Sequence, residues 1–168
     1  MGKSPDYSRE AGGAALAARL RRLSERVDRD ATRLYAAQNI RFEQRWYGVL
    51  NQLVLNGPMS IGDIAQALCI THVSVSQASR SLEAAGIIAS AASSEDARRR
   101  ELSLTQKGDA LVAQLSTLWL ALNRVAEDLN AEAGDVVKLL DRLDDALTQK
   151  SLFQRVIDDM AIRPRETD

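Results

Sequence analysis

Cysteine and histidine are nearly missing: one of each stands in 168 residues. That scarcity excludes an intramolecular disulfide framework and the usual four-ligand zinc site, so no metal is expected. Aromatic residues make up only 4%, and with abundant Ala and Leu the composition favours helices. Charge of either sign is not in excess, the formal net charge being −1, so any attraction to a polyanion must come from local clustering. No apolar run approaches the length needed to cross a bilayer. The opening residues MGKSPDYSREAGG lack the apolar core of a secretory leader, and the expected location is the cytoplasm. Gly-rich phosphate loops, nucleotide fingerprints and hydrolase triads are also missing, so the expectation is no enzyme and no cofactor.

What the chain does have is concentrated in residues 60–105. Ile61, Ile64, Ala65 and Leu68 share one face of a first short helix. Ser60 is placed as its N-cap, with Asp63 completing a capping box. Thr71 is well typed to cap a second helix after a few residues, so the two helices must cross at an angle as a helix-turn-helix. On that second helix Val75, Ala78, Ser79, Leu82 and Ala85 form the inward stripe. Val73, Gln77 and Arg80 centre the opposite face, flanked by His72, Ser74, Ser76 and Ser81. A face so rich in hydroxyls suits close approach to phosphates and base edges, although a merely solvated Ser-rich surface has the same composition.

Gly86 is typed to end this helix. Residues 87–93 and 100–104 then read as two short strands around a turn, and strands this short need a helical support. The turn carries Arg98, Arg99 and Arg100 beside Glu95 and Asp96. An acid-oriented guanidinium suits the enhanced negative potential of a narrow minor groove; in isolation the same run is a self-neutralising surface.

Around this block lie amphipathic helices. Residues 1–12 are polar and read as a loose terminus. A helix over 14–39 carries Leu16, Leu20, Leu23, Val27, Ala31 and Leu34 on one stripe. Another over 44–56 turns Trp46, Val49, Leu50, Leu53 and Val54 inward and stops at Asn56-Gly57-Pro58. Trp46 and Tyr47 are candidates for lining a small-molecule pocket, with a core role for Trp46 the plainer alternative. Thr105 caps a helix running to about 130, bearing Leu111, Leu115, Leu118, Trp119, Leu122, Ala126 and Leu129. After a break at 131–134, one last helix is predicted over 135–161, with Val136, Leu140, Leu143, Leu147 and Val156 inward. Cys69, between Leu68 and Ile70, is expected to be a small buried hydrophobe rather than a redox sensor.

Residues 45–108 resemble the MarR family of bacterial transcriptional regulators. The likeness rests on Trp46 and Leu50 before Gly57-Pro58, on Ile64-Ala65 with Leu68, and on LEAAGII at 82–88. It rests further on Asp96-Ala97-Arg98-Arg99 followed by Leu104-Thr105 and Gly108, the order of the family's wing motif. The chain departs from the family at Cys69, where Gly is usual, and at His72 and Gln77, where Arg is common. The resemblance implies a mainly α fold: a winged helix-turn-helix with a two- to three-stranded antiparallel wing over 43–105. Dimerisation helices over 13–42 and 106–162 and a polar tail over 163–168 complete it. It further implies a homodimer bound to double-stranded DNA at a palindromic operator, acting as a repressor and released by a small aromatic or lipophilic effector. Thr71, His72, Val73, Ser74, Ser76, Gln77 and Arg80 would meet the major groove, and Arg98 with Asp96 and Arg99 the minor groove. The competing expectation is a winged-helix module that binds protein and not DNA.

Overall fold

The computed structural model describes residues 6–92 and 100–162. The chain divides into two compact units, Met1–Ala113 and Gln114–Asp168, with one helix running through the boundary. Among the described residues no helix is long and apolar enough to cross a membrane.

The first unit opens with a helical turn, α1 (Tyr7–Glu10), and a 3-10 turn, Gly12–Ala15, leading into α2 (Leu16–Ala37). The loose terminus expected over residues 1–12 is therefore structured from Asp6 onward. Asp6 caps α1 by accepting from the Ser8 amide at 3.1 Å. Its carboxylate also takes a two-pronged pair of bonds from Arg22, at 3.2 and 3.0 Å. The Arg22 guanidinium, then the Ser8 hydroxyl, hold this carboxyl well below the usual aspartate range.

Of the α2 stripe only Ala31 and the neighbouring Tyr35 are buried; Leu16, Leu20, Leu23, Val27 and Leu34 are exposed. Tyr35 continues into an aromatic stack, its ring 4.5 Å from Phe42, which meets Trp46 edge-on at 5.7 Å. Four inward residues of α3 (Trp46–Asn56), namely Trp46, Val49, Leu50 and Leu53, are buried, whereas Val54 is exposed. Gly57, at φ 76°, takes the left-handed turn that ends it, where a Cβ would be strained.

Next come α4 (Ile61–Leu68), α5 (His72–Ala84), β1 (Ile88–Ala92) and β2 (Arg100–Leu104). The strands pair antiparallel with Ile88 opposite Leu104 and Ser90 opposite Leu102. Met59 adds an isolated bridge to Leu102. Ile64, Ala65, Val75, Leu82, Ile88 and Leu102 bring all these elements into one core.

The long helix α6 (Gln106–Glu132) starts at a tight joint. Thr105 Oγ1 accepts from the Gly108 amide at 3.1 Å and donates to the carbonyls of Gly86 and Ile87. Gly108 is buried there, and the site needs glycine because a Cβ would stand 2.2 Å from the Ile87 carbonyl oxygen.

In the second unit α6 gives way at Gly134 (φ 83°) and Asp135 (φ 61°) to α7 (Val136–Gln149). The Asn130 side chain caps the new helix, accepting from the Val137 amide at 2.9 Å. The single helix predicted over 135–161 is in fact two, since α8 (Leu152–Ile162) starts afresh. Lys150 is extended, and the Ser151 hydroxyl accepts from the Gln154 amide at 3.2 Å. Arg155 then donates to the Ala146 and Lys150 carbonyls, so the end of α7 is satisfied without continuing the helix. Of the residues predicted inward, Val136, Leu140, Leu147 and Val156 are exposed and Leu143 is half-buried. Periodicity placed them on a common face but could not tell what, if anything, covers it.

Candidate nucleic-acid interface

The site is built on α5, and the sequence fixes that helix at both ends. Upstream, Ser60 and Asp63 form a reciprocal capping box on α4: the Asp63 amide donates to Ser60 Oγ at 3.2 Å and the Ser60 amide to Asp63 Oδ2 at 3.3 Å. The turn between the helices needs one left-handed residue, and Cys69 supplies it at φ 51°. Cys69 is exposed, correcting the expectation of a buried hydrophobe. Left-handed geometry at the end of α4 turns its side chain away from the core, in a conformation that would suit Gly better. Thr71 then caps α5, accepting from the Ser74 amide at 3.1 Å, and its hydroxyl lies 2.9 Å from that of Ser74.

Val75, Ala78, Ser79 and Leu82 seat the inner face of α5. The outer face presents Thr71, His72, Val73, Ser74, Gln77 and Arg80, all exposed, with Ser76 half-buried beside them. Val73 is 64% exposed, an apolar side chain offered to whatever approaches this face. Among the described residues Arg80 has no hydrogen-bond or ion-pair partner.

One residue that sequence reasoning missed is Gly62. A Cβ there would meet the His72 ring carbon Cε1 at 3.4 Å, so the missing side chain leaves room for the imidazole to lie against α4. Gly48 likewise faces Leu68, whose Cδ1 would be 3.0 Å from an added Cβ. Only a bare Gly inside a helical pattern hinted at either close approach.

Ser81, expected on the flank of the outer face, is engaged underneath. Trp46 Nε1 donates to its hydroxyl at 3.1 Å, Arg45 donates to it at 3.3 Å, and it donates to Glu43 at 3.3 Å. Arg45 and Glu43 are themselves paired at 2.6 Å. These bonds tie the last turn of α5 to the start of α3. Trp46, only 3% exposed, is thus a core residue, and it also lines a cavity of about 470 Å³ with Arg41, Ser81, Lys107 and Leu111. Tyr47 is half-buried and is not among the residues lining that cavity. Asp96, Arg98 and Arg99, assigned from the sequence to the wing tip, lie outside the described residues. No group of His, Cys, Asp and Glu that could hold a metal ion occurs among the described residues.

Residues 42–99 match the model of the MarR family. That match covers the winged domain, about a third of the chain. Solved structures extend the fold likeness over most of the chain. A MarR/EmrR family transcriptional regulator from Acinetobacter is 22% identical, with a TM-score of 0.64, over 81% of this chain and 96% of its own. MepR of S. aureus, solved as a complex with DNA, is 21% identical, with a TM-score of 0.60, over 76% and 97%. PcaV of Streptomyces coelicolor, a transcriptional regulator solved with its natural ligand, is 20% identical, with a TM-score of 0.59, over 74% and 90%. No curated protein matches the chain.

Proposed function

We propose that this MarR-family chain is a homodimeric, sequence-specific DNA-binding transcriptional regulator of the cytoplasm, acting as a repressor. The observation that carries the reading is the outer face of α5: a helix capped at Thr71 and tied down through Ser81, whose exposed side is short, polar and unencumbered. His72, Ser74 and Gln77 can reach base edges and phosphates in a major groove, and Val73 can meet a thymine methyl. Thr71, Ser76 and Arg80 flank them. Arg98 is assigned to the adjacent minor groove, oriented by Asp96, with Arg99 beside it. That MepR was solved on DNA supports the reading.

The dimer rests on the exposed apolar residues of α2, α7 and α8. Val27 is 60% exposed, and Leu16, Leu23, Val136, Leu152 and Phe153 are likewise uncovered in one chain. Fully burying each such side chain is worth roughly 1.5–3 kcal/mol, so a second copy related by a two-fold axis gains much by covering them. Two copies of α5 would then read half-sites about one helical turn apart on a palindromic operator. A small aromatic or lipophilic effector is assigned to the cavity beside Trp46, where it would press on the hydroxyl that holds α5. The existence of a natural ligand for PcaV supports the class of mechanism.

Binding to a duplex covering the promoter beside the coding region tests the assignment. Wild-type protein is expected to bind as a dimer, with affinity falling steeply as salt rises, and Arg98→Ala to bind less well. Salt-independent or undetectable binding would favour the protein-interaction module instead.

A further inference from the structure

A second cleft lies between α5 and the two strands of the wing. It has a volume of about 230 Å³, and Ser76, Ser79, Arg80, Glu83, Ser90 and Arg100 line it. Two features set it apart from a chance surface dent. The Ser79 hydroxyl is buried, its residue 2% exposed, and has no hydrogen-bond partner among the described residues. A buried hydroxyl left unpaired is costly, by roughly 1–3 kcal/mol. The second feature is the fixed guanidinium of Arg100. Its Nε donates to Ser90 Oγ at 2.9 Å and its Nη2 to the Ser90 carbonyl at 2.9 Å, pinning the side chain across to β1. On the opposite wall Arg80 has no partner among the described residues and keeps all its N–H groups to offer.

Guanidinium groups and hydroxyls lining two walls of one cleft suit a tetrahedral oxyanion, because charge-assisted bonds to phosphate oxygens are the strongest those donors make. A pinned Arg loses less side-chain freedom on binding than a free one. The cleft borders the exposed face of α5, with Arg80 common to both. We infer that the cleft is a phosphate seat, which takes one backbone phosphodiester of the bound duplex between Arg80 on α5 and Arg100 at the start of β2. The inference rests on the DNA-binding reading above and adds one residue to it, Arg100. Glu83 on the rim opposes the anion and weakens the seat. Among the described residues it holds the net charge of the cleft to about one positive unit.

The test is a salt titration of duplex binding, using the same promoter DNA between 50 and 200 mM KCl, with inorganic phosphate titrated separately against the DNA-free protein. Removing one phosphate contact lowers the slope of log K against log salt by about one per protomer. Arg80→Gln and Arg100→Gln should each do this, so each protomer of the variant loses about fourfold less affinity over that salt range. Arg100→Lys should restore the slope, and Glu83→Gln should tighten binding. Arg80→Gln removes no contact among the described residues, so its result stands even where Arg100→Gln loosens the wing. Inorganic phosphate is expected to give no saturable heat. Failure of the wild type to bind duplex at any salt overturns the regulator reading together with the seat. Wild-type binding with unchanged slopes in both glutamine variants overturns the seat alone. Saturable uptake of inorganic phosphate, lost in Arg100→Gln while the duplex slopes stay unchanged, assigns the cleft to a free anion and overturns it too.

Discussion

Gly108→Ala should cost this protein far more than a methyl group usually does. The added Cβ would stand 2.2 Å from the Ile87 carbonyl oxygen and 3.2 Å from both its carbon and Leu104 Cδ2. An ordinary contact between such atoms is more than an ångström longer than 2.2 Å, so either β1 or the start of α6 must move. The same carbonyl accepts from the Thr105 amide at 3.0 Å and from its hydroxyl at 3.1 Å, and any shift weakens both bonds. Overpacking costs about 1–3 kcal/mol, and the two hydrogen bonds add about 0.5–1.5 kcal/mol each. Set against a helix-propensity gain of about 1 kcal/mol for Gly→Ala, the net loss is roughly 1–5 kcal/mol. Gly48→Ala is the control. Its Cβ meets only the end of the Leu68 side chain at 3.0 and 3.4 Å, which can rotate away, so the propensity gain should leave stability near or above wild type. Urea unfolding of the three proteins at one concentration measures this. A Gly108→Ala midpoint equal to or above that of Gly48→Ala would refute the reasoning.

Three further outcomes follow from local geometry. Cys69→Gly should stabilise by about 1 kcal/mol in the same unfolding assay, because the left-handed turn residue loses its Cβ clash. Thr71→Ala should cost about 1 kcal/mol through the lost cap of α5 while Thr71→Ser costs little, a difference visible in the thermal midpoint. At the N-terminus, the depressed Asp6 pKa means that its contribution is fully present above the unfolded value near 4 and is lost only as pH falls through the lower folded value. Amide protection over residues 7–15, relative to the intrinsic exchange rate at each pH, should therefore hold from neutral pH to pH 4 in the wild type, fall only in stronger acid, and be lower in Asp6→Asn at both neutral pH and pH 4.

Local chemistry explains what could be read beforehand. The capping box at Ser60 and Asp63, the Thr71 cap and the ends of β2 depend on residues a few positions apart, and each appeared as expected. The inward stripe of α5 was legible for the same reason, since Val75, Ala78, Ser79 and Leu82 follow one period. Ser81 escaped because it stands one turn after Gln77, at the edge of the outer face, and only the Trp46 indole across the fold decides its role. The break at Lys150-Ser151 escaped because the apolar period runs on through it; the deciding group is Arg155, which bonds back to carbonyls it follows in sequence. The cleft of Arg80 and Arg100 joins residues twenty apart, and the unpaired Ser79 hydroxyl beneath them has no sequence signature at all. Exposure of Cys69 hung on a single backbone angle, which the resemblance pointed to by placing Gly there.

That angle gives the molecule a built-in reporter. Cys69 carries the chain's sole thiol, and it faces solvent at the hinge just before α5. One spectroscopic label per subunit can therefore be attached to the natural sequence, a few residues from the side chains assigned to the groove. In a two-fold assembly the pair of labels marks a single separation, and any compound that loosens or tightens the grip on an operator should register as a change in that one length.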